Sequence, residues 1–296
     1  MKPRRQPIRS FIHTGGRGLA LFASLLLILT ASVALATETS GPDGLDRGFT
    51  RLYNLDFSGA HNEFQAWQQQ NPDNPMGPVS QAAGVLFSEF NRLGVLEAQF
   101  YENDSAFASR KKYEADPKQH DLFEQHLAEA ETLGKARLAR DPHDHDGLLG
   151  LTLSAGLRAD YAALIEKRSL SSLHYTKESS ALADQLLAAH PTCYDAYLAG
   201  GISRYIVGSM SAPVRWLLRM GGVAGDKARG ISELQTTAAK GRLLAPFARI
   251  LLAIAYVRDQ DKPRAREVLL TLQKDFPNNR LFPLELARLE KPNPAK

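Results

Sequence analysis

The chain is 296 residues long and 44% hydrophobic, enough for one long helical array or two modest domains. Its formal charge of +4 is local: Lys2, Arg4, Arg5, Arg9 and Arg17 lie in residues 1–36, which carry no acid. Without these five, the 36 Lys and Arg fall to 31 against 32 Asp and Glu, a net of −1, and a basic surface for nucleic acid is excluded.

Residues 1–36 predict an export leader. A basic start precedes the 11-residue apolar run from Leu19 to Leu29, and Ala34-Leu35-Ala36 has the small-x-small form of a cleavage site. The run is short for a membrane-spanning helix of about 20 residues. An uncleaved anchor is the alternative, because Leu19 to Ala36 could just span. Either outcome sends the remainder across the membrane, since the basic cluster stays inside. Membrane contact is thus expected only through residues 19–36, if uncleaved, and the location is periplasmic or secreted. Residues 37–44 are polar and turn-rich, a flexible lead-in; residues 45–290 are expected to form one domain, and 291–296 a disordered tail. An exported chain whose only thiol is Cys193 has no internal disulfide, so helix packing must supply its stability. Early in an apolar helix, Cys193 reads as a small buried hydrophobe rather than a reactive thiol.

The first predicted hairpin has Gly48 at the small site of one helix and Ala60, Phe64 and Trp67 on the next, with Asp56 as N-cap between them and Pro72 after the second. A long apolar helix is then expected from Val79 to about Tyr101, with Gly84, Phe87 and Phe100 in register. Residues 102–119 are polar and broken by Asp116-Pro117, and the run Arg110 to Lys112 reads as a solvated face. From His120 to Arg140, Phe123, Leu127, Ala130, Leu133 and Ala136 recur at three and four, the period of an amphipathic helix. A third hairpin is expected from Asp146, with Leu149-Gly150 in its first helix and Ala162 at the small site of its second. Another amphipathic helix follows from Ser169 to His190.

The last hairpin carries the clearest pattern. Over residues 244–279, Leu252, Ala253 and Tyr256 precede Ala265, Leu269, Leu272 and a closing Pro277. This resembles the 34-residue tetratricopeptide (TPR) repeat, with Ala for Gly and Leu for Phe. Small residues let two helices approach, larger ones fill the space around them, and Pro277 stops the second helix. The resemblance implies an all-α, TPR-like helical-hairpin solenoid, because one hairpin cannot bury its own apolar face.

An irregular Gly-rich segment is expected near residues 208–230. Residues 194–234 pass from Ala199-Gly200-Gly201 through Ser211-Ala212-Pro213 to Leu217-Leu218, Gly221-Gly222 and Gly225-Asp226, ending Gly230-Ile231 and Leu234. This order resembles the family that includes the inclusion-body-clearance protein and tetratricopeptide repeat protein thirty-nine, with Gly222-Val223 for Gly-Phe and Ile231 for Leu. The resemblance implies a helical scaffold without catalytic residues. From the residues alone, Gly221-Gly222 and Gly225 offer backbone freedom for a turn, Asp226 caps the next helix, and Gly230 permits close helix contact. A phosphate cradle here would need a preceding strand and the G-x₄-G-K-[ST] order, and both are missing.

Asp141 to Asp146 contains two His and three Asp, donor types that bind transition metals. Alternating residues of a short loop rarely converge on one ion, and Asp-Pro loops commonly cap helices. No metal, cofactor or catalytic residue is therefore assigned. The expected function is an exported, non-enzymatic scaffold for protein–protein interaction or assembly in the cell envelope, with an unidentified protein partner. One alternative is a closed solenoid holding an apolar small ligand or lipid; a second is a metal-dependent hydrolase using the His143–Asp146 loop. TPR partners commonly lie along the first helix of each hairpin. The corresponding positions here are Leu45, Phe49, Leu52 and Tyr53 in the first unit and Ile250, Ile254, Val257 and Arg258 in the last. These are mainly apolar, which disfavours capture of a peptide carboxylate. So apolar an inner face invites a cover, and the segment Pro213–Met220 is expected to supply one, with Trp216 buried.

Overall fold

A computed structural model describes residues 43–97, 112–220, 222 and 224–290, and the described residues are helical with no strand. The helices are α1 (Gly44–Tyr53), α2 (Phe57–Gln70), α3 (Met76–Arg92), α4 (Pro117–Arg140), α5 (His145–Leu164) and α6 (Ser169–Ala189). After a 3₁₀ turn (Tyr194–Ala196) come α7 (Tyr197–Ser209), α8 (Ala212–Met220), α9 (Lys227–Lys240), α10 (Ala245–Arg258), α11 (Lys262–Asp275) and α12 (Leu281–Glu290). Antiparallel pairs stack in sequence: α1 with α2, α3 with α4, α5 with α6, α7 with α9, α10 with α11, and α12 against α11. This is an all-α helical-hairpin solenoid.

The repeat is visible in its turns. Leu55 and Gln260 both take a left-handed backbone (φ 62° and 59°), and each is followed by an Asp that caps the second helix. Asp56 accepts from Gly59 N at 2.9 Å and Asp261 from Arg264 N at 3.1 Å, so two hairpins far apart in sequence share one turn. Asp144 and Asp226 cap α5 and α9 in the same way. Small residues then set the distance between helices. Gly48 lies flat against the Phe64 ring, where any Cβ would collide, and Ala253 and Ala265 are buried at the α10–α11 contact. At Gly230 a Cβ would stand 2.5 Å from Tyr205 N and 2.8 Å from Gly201 O, so α7 and α9 meet backbone to backbone.

Several expected boundaries move. The helix placed at Val79–Tyr101 begins earlier, at Met76, and stops at Arg92; Gly94 then turns with φ 70°, and Phe100 lies outside the described residues. The third hairpin differs more. No breaker interrupts Leu148 to Leu164, so α5 runs through Ala162, which therefore belongs to the first helix and not the second. The turn comes instead at Lys167 (φ 57°). Gly225 also has a different role: its space is filled by the backbone of Val207 and Gly208, and close approach, not backbone freedom, requires glycine there.

The solenoid closes on itself. The chain end of α1 meets the loops before α10 and before α12. Tyr53 Oη donates to Leu243 O at 3.0 Å, Asn279 Nδ2 donates to Tyr53 O at 2.8 Å, and Asn278 N donates to Asn54 Oδ1 at 3.1 Å. The Tyr53 ring packs on Phe276 at 5.4 Å between centroids, and Phe87 of α3 meets Phe247 of α10 edge-on at 5.5 Å. Arg242 pairs with Asp43 and Asp46, and Arg288 with Glu97 at 3.2 Å. Asp195 anchors the receiving loop, its two carboxylate oxygens accepting from Leu243 N and Leu244 N at 3.1 Å each.

Candidate functional site

Closure turns the inner faces of the first helices into walls. They surround a cavity of ≈ 300 Å³ with an adjoining lobe of ≈ 110 Å³, and Leu52, Tyr53, Phe87, Asp160, Thr176 and Phe247 border both. The larger volume falls at the low end of the range for small-molecule sites, roughly 300–1,000 Å³. Each helix contributes an apolar stripe at helical spacing. On α10 the stripe is Phe247, Ile250, Leu251, Ile254 and Val257; on α5 it is Leu153, Gly156, Leu157, Asp160, Ala163 and Leu164.

Of the residues expected on the inner face, Leu52, Tyr53, Ile250, Ile254, Val257 and Arg258 border the larger cavity together. Phe49 borders the smaller lobe and packs on Phe64 at 5.2 Å. Leu45 lies apart, buried and bordering a third pocket with His145, Cys193 and Arg242. The expected cover is not there. Trp216 is 64% exposed and Met220 70% exposed on α8, a short helix that packs on α7. The ends of the chain close the inner face instead, through contacts such as Tyr53 to Leu243 that leave no local trace in sequence.

Polar groups on the walls are few, and most are satisfied. Thr152 Oγ1 donates to Leu148 O, Ser179 Oγ to Thr152 O and Thr176 Oγ1 to Ser172 O, each at 2.8 Å. Glu285 pairs with Arg288, and burial pushes the Tyr53 hydroxyl well above its ordinary pKa. Asp160 is the exception. It has no hydrogen bond or ion pair among the described residues, and burial alone pushes its carboxyl up to about 7. Its remaining accessible surface faces the cavity, because protein surrounds it on the other sides. The buried Ser80 Oγ, bordering the same small lobe, also has no partner. Sequence reasoning passed over Asp160, although it is a lone acid within the otherwise apolar stripe of α5.

The His143–Asp146 loop spends its side chains on structure. Asp141 accepts from His143 N, and Asp144 caps α5 while holding Arg137 at 2.8 Å. Asp146 accepts from His145 Nδ1 at 2.8 Å and from Asn74 Nδ2 at 2.7 Å. That carboxylate, and next Cys193, raise the His145 imidazole to about 10. Among the described residues no group of three or more His, Cys, Asp or Glu is placed to hold a metal ion. Cys193 is half-buried and packs against the core, bordering the same ≈ 260 Å³ pocket as His145.

Turns, caps and close helix contacts together define a TPR-like all-α solenoid closed around an apolar lumen. No protein-family profile matches the chain, and no curated protein matches it. Among solved structures it is similar to TTC0263, a thermophilic TPR protein of Thermus thermophilus, at 16% identity over 83% of this chain and 96% of that one, with a TM-score of 0.43. So distant a likeness carries no argument, and the class rests on the hairpins themselves.

Proposed function

We propose that this chain is an exported, non-enzymatic binding scaffold that carries an apolar small ligand inside its closed solenoid. The observation that carries the reading is the apolar lumen between the first helices, where a TPR groove would otherwise lie open to a peptide. Burial of a ligand's apolar surface there contributes roughly 25 cal/mol per Å² removed from water, before the costs of association. Export rests on the leader-like residues 1–36. A protein partner, the other role that a TPR-like scaffold supports, would have to meet the outer surface, where Trp216 and Met220 stand exposed.

The test uses protein recovered from its native host. Intact mass is expected to show cleavage after Ala36, and a retained leader would make the chain membrane-anchored. Nile red is expected to bind saturably at one site per chain. Ile254→Trp, which fills the lumen from α10, is expected to abolish that binding with the melting midpoint little changed. Undiminished binding in this variant would place the dye elsewhere and overturn the lumen reading. Capture of envelope proteins that is lost when Trp216 and Met220 are both changed to Ala would favour the partner role.

A further inference from the structure

Resting on the lumen reading, we infer that the ligand is an amphiphilic primary amine whose cationic head sits against Asp160, which borders both lobes, with its apolar tail in the larger cavity. The larger cavity has room for the tail: its walls are mainly apolar, with Ile250, Ile254, Val257, Leu281 and Phe282 among them, although Arg258, Asn279 and Glu285 also border it. Asp160, which borders both lobes, remains unpartnered while the neighbouring hydroxyls of Thr152, Thr176 and Ser179 are bound to main-chain carbonyls.

An uncompensated carboxylate in an apolar wall is costly, and a protein usually pairs it or leaves it in water. Among the described residues no basic side chain shifts the titration of Asp160, so none of them is close enough to compensate it. Arg258 and Glu285 border only the larger cavity, and Glu285 already has Arg288. A proton satisfies the carboxyl when the lumen is empty, and a cationic ligand would satisfy the ionised form. An ionised carboxylate only accepts hydrogen bonds, whereas a primary ammonium supplies donors and the compensating charge. An alcohol offers one donor and no charge. A fatty acid would place a second carboxylate beside the first, which is unfavourable.

The experiment titrates the full chain at pH 8 by calorimetry with decylamine, decanol and decanoate, each kept below its micelle concentration. Decylamine is expected to bind about tenfold or more tighter than decanol, the worth of one charge-assisted hydrogen bond, with decanoate weakest. Asp160→Asn should reduce decylamine to the affinity of decanol and leave decanol unchanged. Asp160→Leu serves as the second variant, and melting midpoints at or above the parent's would verify folding. Equal affinities for amine and alcohol in the parent, or an amine preference that survives both variants, would overturn the inference while Nile red binding kept the lumen reading intact. Failure of all three probes and of Nile red would remove the lumen reading itself.

Discussion

Phe64→Ala is expected to lose about 3–5 kcal/mol of stability, the range for truncating a fully buried aromatic side chain. Phe64 is 0% exposed, lies against the flat face of Gly48 and meets the edge of Phe49, so it holds α1, α2 and the lumen wall together. In a domain of this size that loss would lower the melting midpoint by roughly 6–20 °C. A companion substitution shows whether the contact is the cause. Gly48→Ala should destabilise the parent, because its Cβ collides with the Phe64 ring. With Phe64→Ala already present the collision is gone, and the same change should stabilise by about 0.5–1 kcal/mol through helix propensity. Additive losses in thermal melts of the four proteins would refute the contact.

Asp195→Ala should cost about 2–6 kcal/mol, since it strands two buried amides, Leu243 N and Leu244 N, at roughly 1–3 kcal/mol each. The effect should reach further than the local turn. Leu243 O receives the Tyr53 hydroxyl, so a loosened loop also loosens the closure of the ring. Asp195→Asn keeps one acceptor oxygen and should lose about half as much. Hydrogen exchange read at residues 52–54 distinguishes the two scales: faster exchange in Asp195→Ala is expected there, and exchange faster only at 243–244 would confine the effect to the loop.

The hairpins are legible because their signals are local. Gly48 with Ala60 and Phe64, and Ala253 with Ala265 and Leu269, announce close helix pairs by residue size at fixed spacing. Asp56, Asp144, Asp226 and Asp261 sit where a helix start needs an acceptor. Helix length is less legible. The mostly small and apolar residues from Leu148 to Leu164 give no sign that one helix continues past Ala162, a position whose size suits the second helix of a hairpin equally well. The apolar letters of α8 suggest burial, yet Trp216 stands 64% exposed on this short helix. The site is half readable. Leu52, Tyr53, Ile250, Ile254, Val257 and Arg258 follow from the register of first helices, but whether their face is open or closed depends on contacts between residues about 190 to 226 positions apart. Asp160 is hidden for the same reason: period shows that it shares a face with Leu153 and Leu157, and only closure makes that face the wall of an enclosed space.

Closure is therefore the claim on which the lumen, its ligand and the role of Asp160 all depend. Asn278 N reaches Asn54 Oδ1 at 3.1 Å across the seam, which sets the two residues side by side as a cysteine pair for testing closure. The direct measurement introduces Asn54→Cys and Asn278→Cys in a Cys193→Ser chain, followed by mild oxidation at low protein concentration and non-reducing electrophoresis. A closed ring predicts near-complete intramolecular cross-linking of the monomer, with helix content by circular dichroism unchanged. A monomer that stays reduced, or that links only to a second molecule, would mean that the ends of the solenoid stand apart and that the apolar face is an open groove.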